Sequence, residues 1–275
     1  MTLTKAQQRQ EFLFTSSALP AAYHACLGPR LFRPWAHMLL ESLRPLKNMA
    51  LLDVACGPGT VAGLAHARIG PHGRVVGTDS SVAMLEFART SNPEIEYIEA
   101  DAEHLPFGDR AFDIVTCQQG LQFFVDSSAA VAEMYRVLRP GGHVGIAVWS
   151  SIDECEAFEI LCYALRAGAC EDAAELMSAP FAYGESERLA DDVRRAGFVA
   201  ADVSIARLPL VFEGGVAQAV GSIYSTPACV TFEGCTAAQR KAYELTATTR
   251  FKEHLIGQVV HTMMTSRIVS AARPN

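Results

Sequence analysis

One stretch constrains the fold of this chain more than any other: Leu51-Leu52-Asp53-Val54-Ala55-Cys56-Gly57-Pro58-Gly59-Thr60-Val61-Ala62-Gly63. A short apolar run carrying an acid near its end opens onto a small-residue turn. This reads as a buried strand leading through a glycine turn into a helix. Gly57 and Gly59 lack Cβ, so the backbone can turn sharply there and a ligand can lie directly against it. Twenty-two residues beyond Gly57, Asp79 closes a second apolar run, Arg74 to Asp79. An acid about 20 residues past a glycine turn, at the end of the next strand, is placed to accept hydrogen bonds from ribose hydroxyls. The competing role for Asp79 is a plain helix N-cap. Turn and acid together imply an adenosine-containing cofactor.

The spacing also sorts the adenosine cofactors. A nicotinamide site wants G-x-G-x-x-G, whereas the glycines here fall at 57, 59 and 63, with the third one residue late. No Lys-Ser or Lys-Thr pair follows the turn, so a phosphate-cradling loop does not fit. Three more apolar runs follow. Ile95 to Ala100 leads into Asp101-Ala102-Glu103-His104-Leu105-Pro106-Phe107. Ala111 to Cys117 opens onto Gln118-Gln119-Gly120-Leu121-Gln122-Phe123-Phe124. A helical stretch with Glu133-Met134-Tyr135-Arg136-Val137-Leu138 then reaches Arg139-Pro140-Gly141-Gly142 and a run from His143 to Trp149. The ordered series resembles the class I S-adenosylmethionine-dependent methyltransferases, in particular the small-molecule branch that includes the ubiquinone and menaquinone enzymes. The matching motifs span roughly residues 48 to 150.

The resemblance implies an α/β fold: a Rossmann-like, seven-stranded, mostly parallel sheet flanked by helices, its final strand antiparallel, with an N-terminal helical lid. It implies S-adenosylmethionine as cofactor. Ala55, Gly57 and Gly59 are expected to line it with backbone, Asp79 to take the ribose, and Ser80 to touch it while capping the next helix. Asp101 and Ala102 fit the adenine clamp, and Met84 either flanks the adenine or packs in the core. Gln118 is expected to meet the methionyl end through its carbonyl, and Tyr23 to approach the cofactor from the lid. Asp53 is expected to brace the amides of the turn. His104 reads as loop structure, and His143, at the start of its strand, as structural. His254 and His261 have no assigned place. On the acceptor side the candidates are Gln122, Phe123, Trp149 and Trp35, each with core packing as the competing role, and His24 is the candidate general base. Methyl transfer by in-line displacement needs alignment and exclusion of water, and a base only where the acceptor arrives protonated.

Composition narrows the partners. Lys and Arg number 23 against 30 Asp and Glu, a net charge of −7, without the basic face that nucleic-acid backbones require. Half the residues are hydrophobic, enough for a sizeable core, yet no uninterrupted apolar stretch approaches the ~18 residues of a membrane span. The eight cysteines form no C-x-x-C pair, and the chain opens Met-Thr-Leu-Thr-Lys. Both features fit a cytoplasmic protein with reduced thiols and no metal site. The oligomeric state is left open.

Three segments are expected: a lid over residues 1–48, a cofactor-binding core over 49–150, and a remainder over 151–275 with cap helices and the last two strands. Pro20, Gly28-Pro29 and Pro34 read as turn punctuation in a largely helical lid. Residues 153–168 and 185–196 read as helices, the second stopped by Gly197. Residues 198–211 alternate as a strand, 237–256 read as a helix, and 259–269 as a final strand. The function these readings imply is methyl transfer to a small, partly apolar metabolite: a quinone, an aromatic or a natural-product intermediate. The alternatives are a nicotinamide-dependent oxidoreductase and a protein that binds S-adenosylmethionine without transferring its methyl group.

Overall fold

The computed structural model describes residues 21, 25–43, 46–183 and 186–275. They fall into two compact units. One comprises residues 32–148, 183–206 and 266–275; the other comprises 149–182, 207–265 and the described residues up to 31.

The first unit is built on a sheet whose strands follow the apolar runs of the sequence. The strands are β1 (Ala50–Val54), β2 (Arg74–Asp79), β3 (Glu96–Glu99), β4 (Phe112–Gln118) and β5 (Leu138–Trp149). Two long strands, β6 (Val199–Phe212) and β8 (Val259–Ala272), are divided between the units. The order is β3-β2-β1-β4-β5-β8-β6, and β1 to β5 pair in parallel. Strand β8 runs against β5, because Gly141 N donates to Arg273 O while Ser266 Oγ donates to Val148 O. The seven-stranded path with its late antiparallel strand is therefore as expected. An eighth strand of two residues, β7 (Leu255–Ile256), lies off that path and pairs only with β8.

Alternation along the strands makes two cores. Leu51, Val75 and Ile114 lie in register on one face, and Leu52, Val76 and Val115 on the other. Successive strand residues point to opposite faces, so a sheet covered on both sides needs apolar residues at every position. The first face is covered by helices α1 (Arg33–Glu41), α2 (Thr60–Ile69) and α3 (Val82–Ser91). Their buried residues include Ala36, Leu40, Ala62, Ala65, Leu85 and Ala88. Helix α4 (Ser127–Val137) and, after β5, helix α7 (Ser186–Arg195) supply Val131, Met134, Leu189 and Val193 to the second face. Pro34 does not mark a turn as expected. It sits in the first turn of α1, where its missing N–H has no helical partner to lose. Of the expected lid, residues 1–20, 22–24 and 44–45 lie outside the described residues.

One buried carboxylate ties α7 to the start of α4. Asp192, 4% exposed, accepts from Tyr183 Oη (2.6 Å), Ser128 Oγ (2.6 Å) and Ser127 Oγ (2.8 Å). Burial alone would raise its pKa, but the three hydroxyls and Arg188 outweigh it and hold the carboxyl below the usual range. Its contribution to stability is thus present above the ordinary carboxylate pKa and lost as pH falls through the lowered one. Asp192→Ala leaves the buried Ser127 and Tyr183 hydroxyls without their acceptor. We expect it to cost about 3 kcal/mol in urea unfolding at pH 7, against about 1 kcal/mol for Tyr183→Phe, which removes one donor.

The second unit packs α5 (Glu156–Ala167) against α6 (Glu171–Ser178) and α10 (Ala237–Lys252). Short helices α8 (Gly215–Gly221) and α9 (Cys229–Glu233) lie between β6 and α10. Thr236 and Gln239 form a capping box at the start of α10. That helix ends at Lys252, four residues short of the expected 256. Gly257 adopts φ +66°, which lets the chain reverse. Leu255 and Ile256 then pair with Val260 and Val259 instead of continuing the helix.

Candidate functional site

The strand order reverses between β1 and β4. From β1 the chain lays down β2 and β3 on one side, then returns to add β4 and β5 on the other. In open parallel sheets, ligands sit outside the carboxyl ends of the strands at such a switch point. The loops found there are 55–59, 80–81, 100–105 and 119–123.

The loop after β1 is held by its backbone. Ala55, Gly57 and Gly59 have φ of +54°, +52° and +82°. Cys56 N donates to Thr78 O (2.9 Å), Gly57 N to Asp79 Oδ2 (2.8 Å) and Gly59 N to Cys56 O (3.0 Å). The two glycines serve different needs. A Cβ on Gly57 would meet nothing within 4 Å, so this backbone faces open space. One on Gly59 would stand 2.5 Å from Tyr97 Oη. Gly59 is also the left-handed N-cap of α2, with no side-chain cap of its own. The orphan N–H of Ala62 instead donates to Asp53 Oδ2 (3.1 Å), across from β1. Asp53 thus braces the first turn of the helix rather than the amides of the glycine turn.

Asp79 uses both carboxylate oxygens on backbone: Oδ2 on Gly57 N and Oδ1 on Ser81 N (2.8 Å). A carboxylate oxygen has two lone pairs, so each retains one for a ligand hydroxyl. Burial raises the Asp79 pKa, opposed by the N–H groups of Ser81, Gly57 and Ser80. The N-cap of α3 is Ser81, whose hydroxyl accepts from Met84 N (3.3 Å). Ser80, expected to cap, is exposed one residue before it, and its capping role is corrected to Ser81. Met84 is 3% exposed.

Ala100 N donates to Asp79 O (3.1 Å), which sets Asp101 and Ala102 beside the ribose candidate. The Asp101 carboxylate is exposed and accepts from Glu103 N (2.9 Å), while Ala102 is buried. A network missed in the sequence fixes this loop from α4. Glu133 Oε2 accepts from Leu105 N (2.8 Å), and Arg136 donates to Leu105 O (3.1 Å) and Phe107 O (2.7 Å) while pairing with Glu133 (2.6 Å). The Glu133 and Arg136 spacing of i, i+3 was the available signal.

The loop after β4 closes the group. A Cβ on Gly120 would lie 2.5 Å from Ala55 Cβ, so this loop rests on the glycine turn. Gln118 Nε2 donates to Phe32 O (3.1 Å). Gln122 and Phe123 lie in a single 3-10 turn, Leu121–Phe123. Thus Ala55, Gly57, Gly59, Asp79, Ser80, Asp101, Ala102 and Gln118 come to one end of the sheet, with Gln122 and Phe123 on the adjoining turn. Trp35 is instead 1% exposed on the inward side of α1, and Trp149, 4% exposed, belongs to the other unit. Tyr23 and His24 lie outside the described residues.

Under this floor, Asp53 is fully buried and accepts from Thr116 Oγ1 (2.8 Å). Burial pushes its carboxyl up to about 7 despite the Thr116 and Ala62 donors, with nearby Asp79 adding to the rise. Unfolded, the same group ionises near 3.8. The folded state therefore binds more protons between these values. Stability is fully present below about pH 3.8 and is lost as pH rises through about 7. Asn at 53 can accept from Ala62 N and donate to Thr116 Oγ1. Urea midpoints of Asp53→Asn should be flat across this range, while those of the natural protein fall toward pH 8. Equal slopes would count against a protonated Asp53.

Residues 52–146 match a family model described as a methyltransferase domain. Over this segment the chain is similar to methyltransferase domains. The domain is similar to the chloroplastic 2-phytyl-1,4-beta-naphthoquinone methyltransferase of Arabidopsis thaliana, 40% identical over 122 residues, covering 42% of this chain and 47% of the relative. The chain spans about half the length of the curated relatives it matches. Among solved structures, phosphoethanolamine N-methyltransferase 2 of Haemonchus contortus shares the fold of the domain and beyond. It has a TM-score of 0.64 at 18% identity, over 99% of this chain and 61% of that one. The [4+2]-cyclase SpnF also shares it, with a TM-score of 0.53 at 18% identity over 88% and 80%. No helix among the described residues is long and apolar enough to cross a membrane.

Proposed function

We propose that this chain is an S-adenosylmethionine-dependent methyltransferase acting on a small, partly apolar acceptor such as a quinone, an aromatic or a natural-product intermediate. The single observation that carries the cofactor assignment is Asp79, whose carboxylate is locked to the glycine turn yet keeps a lone pair on each oxygen. Methyl transfer is supported by the methyltransferase domain at 52–146 and by similarity to quinone methyltransferases. The nicotinamide alternative gains no support from either.

The residues fit the cofactor. Asp79 would hold the ribose, the backbone of Ala55, Gly57 and Gly59 the centre of the molecule, and Asp101 and Ala102 the adenine edge. Ser80, Met84, Gln118 and Tyr23 complete the proposed set. When bound, S-adenosylmethionine supplies a methyl group on a positively charged sulfur. The chain's own task is to align the acceptor with that methyl and keep water away. Gln122 and Phe123 are the proposed acceptor residues. His24 is the proposed base, needed only for acceptors that arrive protonated. Residues 1–48 would form the lid, 49–150 the cofactor-binding core and 151–275 the remainder. A nucleic-acid acceptor is disfavoured by the net charge of −7. Cytoplasmic location belongs to the same proposal, supported by eight free cysteines.

One observation favours a second reading. The cyclase SpnF carries this fold, so the fold alone does not fix the reaction. Incubation with S-adenosylmethionine and a panel of demethylated naphthoquinols, phenols and catechols separates the two. Acceptor-dependent release of S-adenosylhomocysteine supports the methyltransferase. Tight binding of the cofactor with no release from any acceptor supports the alternative.

A further inference from the structure

The loop beyond β4 holds three glutamines within five residues, Gln118, Gln119 and Gln122, and each has a buried amide atom without a partner. Which atom is free follows from the hydrogen bonds. A carbonyl can only accept, so the bond from Gln118 to Phe32 O uses the Gln118 NH2 and leaves Oε1 unpaired. Ser266 Oγ spends its proton on Val148 O (2.7 Å), so it accepts from Gln119 Nε2 (3.1 Å). That leaves Gln119 Oε1 unpaired as well. In Gln122 both Oε1 and Nε2 are buried without a partner, so the choice of amide flip does not matter.

The cost of this arrangement is sustained rather than relaxed. Gln119 is 6% exposed, and its backbone is held in the left-handed region at φ +56° with its N–H on Ala147 O (2.8 Å). A non-glycine residue stays there only where its surroundings hold it. Four buried polar atoms lacking partners on one loop need an explanation, and an incoming polar group is the direct one. The loop rests on the glycine turn at Ala55, the backbone that the proposed function sets against the centre of the cofactor.

The loop also limits the charge of that group. From Gln118 to Phe124 there is no ionisable side chain. An ammonium, phosphate or carboxylate buried against this loop would meet only neutral dipoles from it, which repay desolvation of an ion poorly. Three acceptor oxygens and one NH2 suit hydroxyl protons with a neighbouring neutral oxygen.

We infer that Gln122, with Gln118 and Gln119 beside it, selects an uncharged acceptor bearing hydroxyl and carbonyl or second hydroxyl oxygens, and rejects phosphorylated amines. The inference rests on the proposed methyltransferase function. It sets this chain apart from its fold neighbour described in complex with phosphomonomethylethanolamine.

Calorimetry on the full chain saturated with S-adenosylhomocysteine tests it, with 2,3-dihydroxynaphthalene and phosphoethanolamine as probes. The expected result is binding of the dihydroxynaphthalene, weakened at least tenfold by Gln122→Leu, with S-adenosylhomocysteine affinity within twofold of the natural protein and no binding of phosphoethanolamine. Unchanged probe affinity in Gln122→Leu, no probe binding, or preference for phosphoethanolamine overturns the inference. So does a parallel loss of S-adenosylhomocysteine affinity, which would place Gln122 at the cofactor instead. Failure of the natural protein to bind S-adenosylhomocysteine removes the proposed function itself, a result distinct from all of these.

Discussion

Asp79→Ala is expected to weaken binding of S-adenosylmethionine and S-adenosylhomocysteine by tenfold or more. A hydrogen bond to a charged acceptor contributes about 1.5–3 kcal/mol, and about 1.4 kcal/mol is a factor of ten. Alanine also strips the acceptor from Gly57 N and Ser81 N, so the loss includes slackening of the loop that would carry the ligand. Asp79→Asn separates these contributions. It keeps one oxygen for the loop but loses the charge, and should fall between alanine and the natural protein. Calorimetric Kd values, read beside thermal midpoints, check the ordering. Unchanged affinity in the alanine variant would remove Asp79 from the cofactor site.

Gly59→Ala should destabilise the fold by about 2–4 kcal/mol. An L-residue at φ +82° bears the left-handed penalty of about 1–2 kcal/mol. The new methyl group also stands 2.5 Å from Tyr97 Oη and 3.2 Å from Ala88 Cβ, and overpacking of this kind costs typically about 1–3 kcal/mol. The two contributions can be told apart. Adding Tyr97→Phe removes the oxygen that clashes but leaves the dihedral cost, so the double variant should recover part of the loss relative to Tyr97→Phe alone. Denaturant unfolding of the four proteins measures it. Additive losses would mean the clash is relieved by movement of Tyr97. Gly57→Ala, where a Cβ meets nothing within 4 Å, should pay the dihedral penalty alone.

Much of the first unit was legible because its signals are local. The runs at 51–54, 74–79 and 112–117 are buried on both faces, and such strands read as continuous apolar stretches. The glycine turn and Asp79 are set by spacing along the chain. Other features depend on pairings that sequence distance hides. Ser81 rather than Ser80 caps α3, because Asp79 occupies Ser81 N and the chain enters the helix one residue later. The Asp192 cluster joins residues 65 apart, with nothing in either segment to announce the other. Nothing local marks Gln119 for burial, since its amide partner, Ser266, sits on a strand 147 residues away. Leu255 and Ile256 carry helix-compatible residues, yet the reversal at Gly257 and pairing with β8 override that preference. Trp35, an acceptor candidate from its place in the expected lid, takes the competing role of core packing on the buried side of α1.

The most direct test of the cofactor assignment is calorimetric titration of the full chain with S-adenosylmethionine, S-adenosylhomocysteine and NAD. Micromolar binding of the two sulfur cofactors, with none of NAD, is the expected result. Binding of NAD alone, or of none of the three, would contradict the assignment of the glycine turn and Asp79 to S-adenosylmethionine.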